Sequence, residues 1–76
     1  PNPTKGKFNL SFNVDSHKTV KIEITSSIGE IISSTKYYKF IGDFTKSFDL
    51  TNFSNGMYFI KVHMNNTVVI KKLTNQ

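Results

Sequence analysis

Asp49-Leu50-Thr51-Asn52-Phe53-Ser54-Asn55-Gly56-Met57-Tyr58-Phe59-Ile60-Lys61-Val62 is the stretch whose reading decides the fold. A polar turn segment runs straight into a strand here. Asn55-Gly56 is a strong turn signal, because both residue types tolerate positive φ. After Gly56, side chains alternate between two faces. If Lys61 faces water, Met57, Phe59 and His63 share its side, and Tyr58, Ile60 and Val62 point inward. Tyr58 therefore enters the core immediately after a turn. A Tyr so placed packs its ring inside and needs a partner for its hydroxyl, which upstream backbone can supply, as in the tyrosine corner of immunoglobulin-like sandwiches.

Outward from this stretch, the same alternation repeats. Lys7 to Val14 sets Phe8, Leu10, Phe12 and Val14 on one face and Lys7, Asn9, Ser11 and Asn13 on the other, which predicts a half-buried strand. Asp15-Ser16-His17-Lys18 reads as a polar turn. Thr19 to Thr25 alternates again, with Val20, Ile22 and Ile24 inward. The two strands are expected to form a hairpin or to face each other across the core. Ser26-Ser27-Ile28-Gly29-Glu30 is the next turn, with Gly29 at the positive-φ position. Ile31 to Phe40 has no clean phase, which suits an edge strand with a bulge or two short strands. Gly42-Asp43 reads as a further break. Phe44 to Leu50 is a strand with Phe48 and Leu50 inward and Lys46 in the same phase, so Lys46 is expected near a rim or past a bulge. Asn65-Asn66 suits a type I′ hairpin between His63 and Val68, and Thr67 to Leu73 is the last strand. Lys71 and Lys72 are adjacent, so one of them points towards the core face unless that end lies beyond it.

Composition agrees with strands. There is no Ala and there are three Leu, against eight Ile, five Val and eight Thr, and such β-branched residues favour strands over helices. Seventy-six residues form one small domain with a thin core, which seven Phe and three Tyr reinforce. Short strands recurring about every ten residues follow the sandwich pattern. The expected fold is all-β, a small immunoglobulin-like antiparallel β-sandwich of about seven strands. Phe8, Leu10, Phe12, Val20, Ile22, Ile24, Phe48, Leu50, Tyr58, Ile60 and Val62 are expected to form one core.

Ten Lys, no Arg and five acids give a net charge of +5. Specific nucleic-acid readers rely on the bidentate contacts of Arg, so a nucleic-acid partner is not expected; an all-Lys surface is loosely attractive to anions, lipid headgroups included. No apolar run is long enough for a transmembrane segment. With no Cys there is neither a disulfide frame nor a thiolate metal site. His17 and His63 stand alone, without a second ligand at metal spacing, and read as solvated surface residues. The five acids are scattered singly, no Ser sits in a nucleophile turn, and no Gly-rich phosphate loop exists. No catalytic residue, cofactor or metal is expected, and the domain reads as not an enzyme. Three Asn-x-Ser/Thr matches, beginning at Asn9, Asn52 and Asn65, are at chance level among eight Asn and sixteen Ser plus Thr and carry no weight. Pro1-Asn2-Pro3 starts the chain without a basic head or apolar run, so no secretory leader is present in it and a piece of a longer protein is expected.

The order of these features resembles one family. Pro1-Asn2-Pro3 with Gly6 and Phe8, the Val20-x-Ile22-x-Ile24 strand, Gly29 in its turn, Asp49-Leu50, Gly56-x-Tyr58-Phe59 and the closing Lys71-Lys72-Leu73 resemble the C-terminal sorting domain, type A, of type IX secretion cargo in Bacteroidetes. Ser26-Ser27 stand where the family often has Asp before the turn Gly. The resemblance implies an immunoglobulin-like sandwich that directs an N-terminal cargo domain across the outer membrane to the cell surface. It implies as partners the type IX translocon, an outer-membrane shuttle and a sortase that removes the domain. Residues 1–6 are then the linker and cleavage-proximal segment, and residues 7–76 the sorting domain. Pro1, Asn2, Pro3, Gly29, Gly56, Tyr58, Lys71 and Lys72 are the expected signal residues. A terminal strand ending at Gln76 offers an open edge for strand addition. Two other readings fit the residues: a fibronectin-like spacer or adhesion module, and a glycan-binding sandwich using Phe59, Tyr37 or Tyr38.

Overall fold

The computed structural model describes residues 6–76. Four antiparallel strands carry almost the whole chain: β1 (Lys7–Ser26), β2 (Ile31–Asp49), β3 (Gly56–Met64) and β4 (Thr67–Asn75). They form one sheet in the order β2-β1-β3-β4. There are no helices among the described residues, as the shortage of helix formers predicts.

The expected count of about seven strands is corrected to four. Asp15-Ser16-His17 does not reverse the chain, so Lys7–Val14 and Thr19–Thr25 are halves of one strand rather than a hairpin. Both halves pair with β2: Phe8, Phe12 and Val14 lie opposite Phe48, Phe44 and Gly42, and Ile22 and Ile24 lie opposite Thr35 and Ser33. The ladder survives the polar residues because its irregularities are absorbed as bulges. The register shifts between Val14 and Lys18, between Lys18 and Val20, and between Ile24 and Thr25. The positive φ values of Lys39 (51°) and Gly42 (101°) fall in β2 opposite this irregular stretch. Polarity alone marked breaks here, but bulged strands tolerate such residues while keeping their pairing.

These bulges bend the sheet. Twenty extended residues span about 66 Å. The longest dimension of the molecule is 36 Å, so β1 folds over at its middle. The N-terminal half of β1 and the C-terminal half of β2 make an arm whose inner face meets the rest of the sheet. Leu10, Val14, Phe44 and Phe48 from the arm share one buried cluster with Val20, Ile22, Ile24, Leu50, Tyr58, Ile60 and Val62. Sequence alternation identifies most of this core. Phe8 and Phe12 pack against it half-buried, and Phe44, absent from the expected set, lies inside it. Phe44 gathers the aromatics: Phe12 stacks on it at 4.8 Å, and Tyr37 and Phe40 meet it edge-on at 5.1 and 5.3 Å. Lys46 keeps its inward phase but escapes the core by laying its ammonium 5.7 Å from the Phe48 ring centre.

The Asn65-Asn66 hairpin forms as expected, with Met64 opposite Thr67. Only Asn65 takes a positive φ, 51°, so the turn is not the type I′ form, which needs it at both central residues.

Candidate functional site

The turn segment quoted first is held at its centre by Tyr58. Its ring is buried and its hydroxyl donates to the Ser54 carbonyl at 2.6 Å. The bond spans four residues upstream, so the loop cannot swing away without exposing the ring. Asn75, at the end of β4, completes the anchor. It is 3% exposed and its Nδ2 faces the carbonyls of Leu50 (2.9 Å), Ser54 (3.2 Å) and Phe53 (3.3 Å). Asn75 is a structural residue that sequence reasoning missed. Its neighbours Thr74 and Gln76 are exposed and it lies outside every alternating run, so nothing in the sequence distinguishes it from a strand tail. On the other side, the Leu50 N–H donates to the Gly6 carbonyl, and Asp49 accepts from the Thr51 hydroxyl at 2.6 Å and the Thr51 N–H at 3.0 Å. Those two bonds hold the Asp49 carboxyl below its usual range.

The signal residues expected from the sequence fall in two places. Gly29 takes φ 87° in the β1–β2 turn, where its N–H donates to the Ser26 carbonyl at 3.0 Å. Gly56 takes φ 143° at the start of β3. The turn containing Gly29 and the loop containing Gly56 and Tyr58 form the two walls of an open cleft, lined among others by Ile28, Phe53, Gly56, Met57 and Tyr58. Lys71 and Lys72 lie instead along β4, opposite Ile60 and Phe59 respectively. Lys71 thus occupies the core face of the sheet and Lys72 the outer face. Lys71 is nevertheless exposed, because the arm does not reach over β4. Val69 makes the same point: it faces the same way as Val62, directly opposite, yet is 41% exposed against 4%. Pro1, Asn2 and Pro3 lie outside the described residues.

The two sheet edges differ. β2 is interrupted by the bulges at Lys39 and Gly42. β4 runs nine residues against β3 with no register shift, and Thr67-Val68-Val69-Ile70 carries no charge. Among the described residues no strand pairs with the far side of β4.

One cluster revises a reading. His63 is not simply solvated: its Nε2 lies 2.9 Å from Glu23 Oε1, while Lys21 Nζ lies 3.3 Å from Glu23 Oε2. The hydrogen bond from His63 and the charge of Lys21 hold the Glu23 carboxyl below its usual range against the opposing effect of burial. The register that brings Lys21 and Glu23 of β1 beside His63 and Lys61 of β3 is not readable from either strand alone. Among the described residues no three potential metal ligands come together.

The family model described as the secretion system C-terminal sorting domain matches residues 1–76. The chain belongs to this family. The sorting domain is a C-terminal signal for type IX secretion, and its role implies a cargo protein that is handled by that system and reaches the medium or the cell surface. Sorting, not catalysis, is the function of the family. None of the curated proteins matches the chain.

Proposed function

We propose that the β3–β4 hairpin of this sorting domain is the part read by the type IX translocon and its outer-membrane shuttle, with Lys71 and Lys72 at its solvated rim. The observation that carries this reading is the exposed, regular and unpaired edge of β4. An extended segment of a partner can add to such an edge through backbone hydrogen bonds. Gly29, Gly56 and Tyr58 act by holding shape: the two glycines permit the turns and Tyr58 fixes the loop that leads into the hairpin. The bent sheet supplies the two layers of an immunoglobulin-like sandwich, with the arm as the second layer. Residues 1–6, with Pro1, Asn2 and Pro3, are the segment at which a sortase frees the N-terminal cargo, since proline-rich extended backbone is accessible to a protease.

The test is a reporter fused ahead of residues 1–76 in a bacterium with type IX secretion. Lys71→Gln with Lys72→Gln leaves the fold intact, because exposed charges contribute little to stability. The expected outcome is reporter retained in the periplasm by a folded domain. Normal secretion of that variant means the two lysines only guard the edge against aggregation. Deleting residues 67–76 is a poor substitute, because it also removes Asn75 and with it the anchor of the 50–54 loop.

A further inference from the structure

The sheet has a face turned away from the core, and it is basic. Residues directly opposite in register share a face, and the rows can be followed across the strands. Lys36 lies opposite Lys21, and Lys21 opposite His63. One row on, Glu23 lies opposite Lys61, and Lys61 opposite Ile70. In the next row Phe59 lies opposite Lys72. The contacts of Glu23 with both Lys21 and His63 confirm that these side chains rise from the same side. Four lysines and a histidine thus share three adjacent rows with one acid. Like charges directly opposite, as at Lys21 and Lys36, are unfavourable in a sheet. Glu23 is already engaged by Lys21 and His63, and Lys36 rests over the exposed Tyr38 ring, 5.8 Å from its centre.

We infer that this face docks on an anionic lipid surface. Three features favour a lipid surface over a single-anion pocket or an acidic protein. The face is broad, spanning four strands or about 14 Å. Its cations are all lysines, point charges that suit a field of many headgroups; a built phosphate site favours the fixed fork of arginine. Exposed apolar groups are interleaved with the lysines: Ile70 is 57% exposed, Val68 51% and Tyr38 73%. Ammonium groups above headgroup phosphates with aliphatic and aromatic groups at the acyl boundary is the arrangement of an interfacial binder. This inference stands apart from the reading of the β4 edge, since it concerns the face of the sheet and is tested without secretion.

The experiment is co-sedimentation of the 76-residue chain with phosphatidylcholine vesicles, with and without phosphatidylglycerol. Binding is expected only with phosphatidylglycerol and is expected to fall as salt rises. Each lysine close to an anionic surface contributes about five-fold in partitioning. The triple variant Lys36→Gln, Lys61→Gln, Lys72→Gln is therefore expected to lose about a hundred-fold, after circular dichroism shows it folded. A charge-matched variant with Lys7, Lys18 and Lys46 changed to Gln, all outside these rows, is expected to retain most binding. Ile70→Ser is expected to weaken vesicle binding and leave binding to soluble poly-glutamate unchanged. Equal loss in the two triple variants overturns the assignment to this face. Equal binding to vesicles and poly-glutamate, with no effect of Ile70→Ser, overturns the lipid as occupant in favour of an acidic macromolecule. No binding to phosphatidylglycerol vesicles at low salt overturns the inference altogether.

Discussion

Tyr58 and Gly6 show how single residues hold the loop that the fold depends on. Removing the Tyr58 hydroxyl leaves the ring in place but takes away its 2.6 Å bond to the Ser54 carbonyl. Asn75 still faces that carbonyl, so the loss is limited to one hydrogen bond, and Tyr58→Phe is expected to cost about 1 kcal/mol by denaturant titration. A cost near zero would mean that the hydroxyl does not fasten the loop. Gly6 is more constrained. It has φ 71°, and a methyl group there would meet the Thr51 backbone nitrogen at 2.7 Å and Cα at 2.8 Å. Backbone atoms cannot swing aside as a side-chain tip can. Gly6→Ala is therefore expected to destabilise by more than about 1 kcal/mol, and a denaturant midpoint equal to wild type would refute the close approach. Gly29 also has positive φ but nothing lies within 4 Å of its missing side chain, so an Ala there meets conformational strain alone.

At the scale of the strand, what the sequence makes legible is alternation, and what it conceals is pairing. The inward phases of Phe8–Val14, Val20–Ile24 and Tyr58–Val62 are all visible, because each is set by chemistry within one strand. The continuity of β1 through Asp15-Ser16-His17 is not, because a bulge and a turn are built from the same polar residues. The pairing of Glu23 with His63 is hidden for a related reason: it depends on a register joining residues 40 apart. That pair has a measurable consequence. The folded state favours ionised Glu23, whose carboxyl titrates below its unfolded value. Its contribution is therefore present above the ordinary carboxylate range and is lost as pH falls through the lowered value. Stability of the wild type is expected to fall on acidification by more than that of Glu23→Gln, measured as midpoints across a pH series. Parallel pH profiles for the two proteins would show that the cluster contributes nothing to folding.

Taken whole, the molecule is a sheet bent over its own core, and the limit of that core separates the buried part of the domain from the part free to be recognised. The arm covers β1 and β3 but stops short of β4. Val62 and Val69 face each other across the last pair of strands, one buried and one 41% exposed, so the boundary runs between them. The same boundary explains why Lys71 can point to the core side without burying a charge, a conflict that the sequence poses and cannot resolve. Substitutions either side of the boundary should therefore differ sharply. Ile22 is 2% exposed at the centre of the cluster, and Ile22→Ala is expected to cost about 2–5 kcal/mol. A domain of this size has a total stability of about 5 kcal/mol, so that variant approaches unfolding at room temperature. Val69→Ala, on the same face of the sheet, is expected to stay within about 0.5 kcal/mol of wild type. Thermal or denaturant melts of the pair decide the matter. If Val69→Ala proves as damaging as Ile22→Ala, β4 is covered in solution, its edge is not open to a partner, and the hairpin loses its claim as the surface the translocon reads.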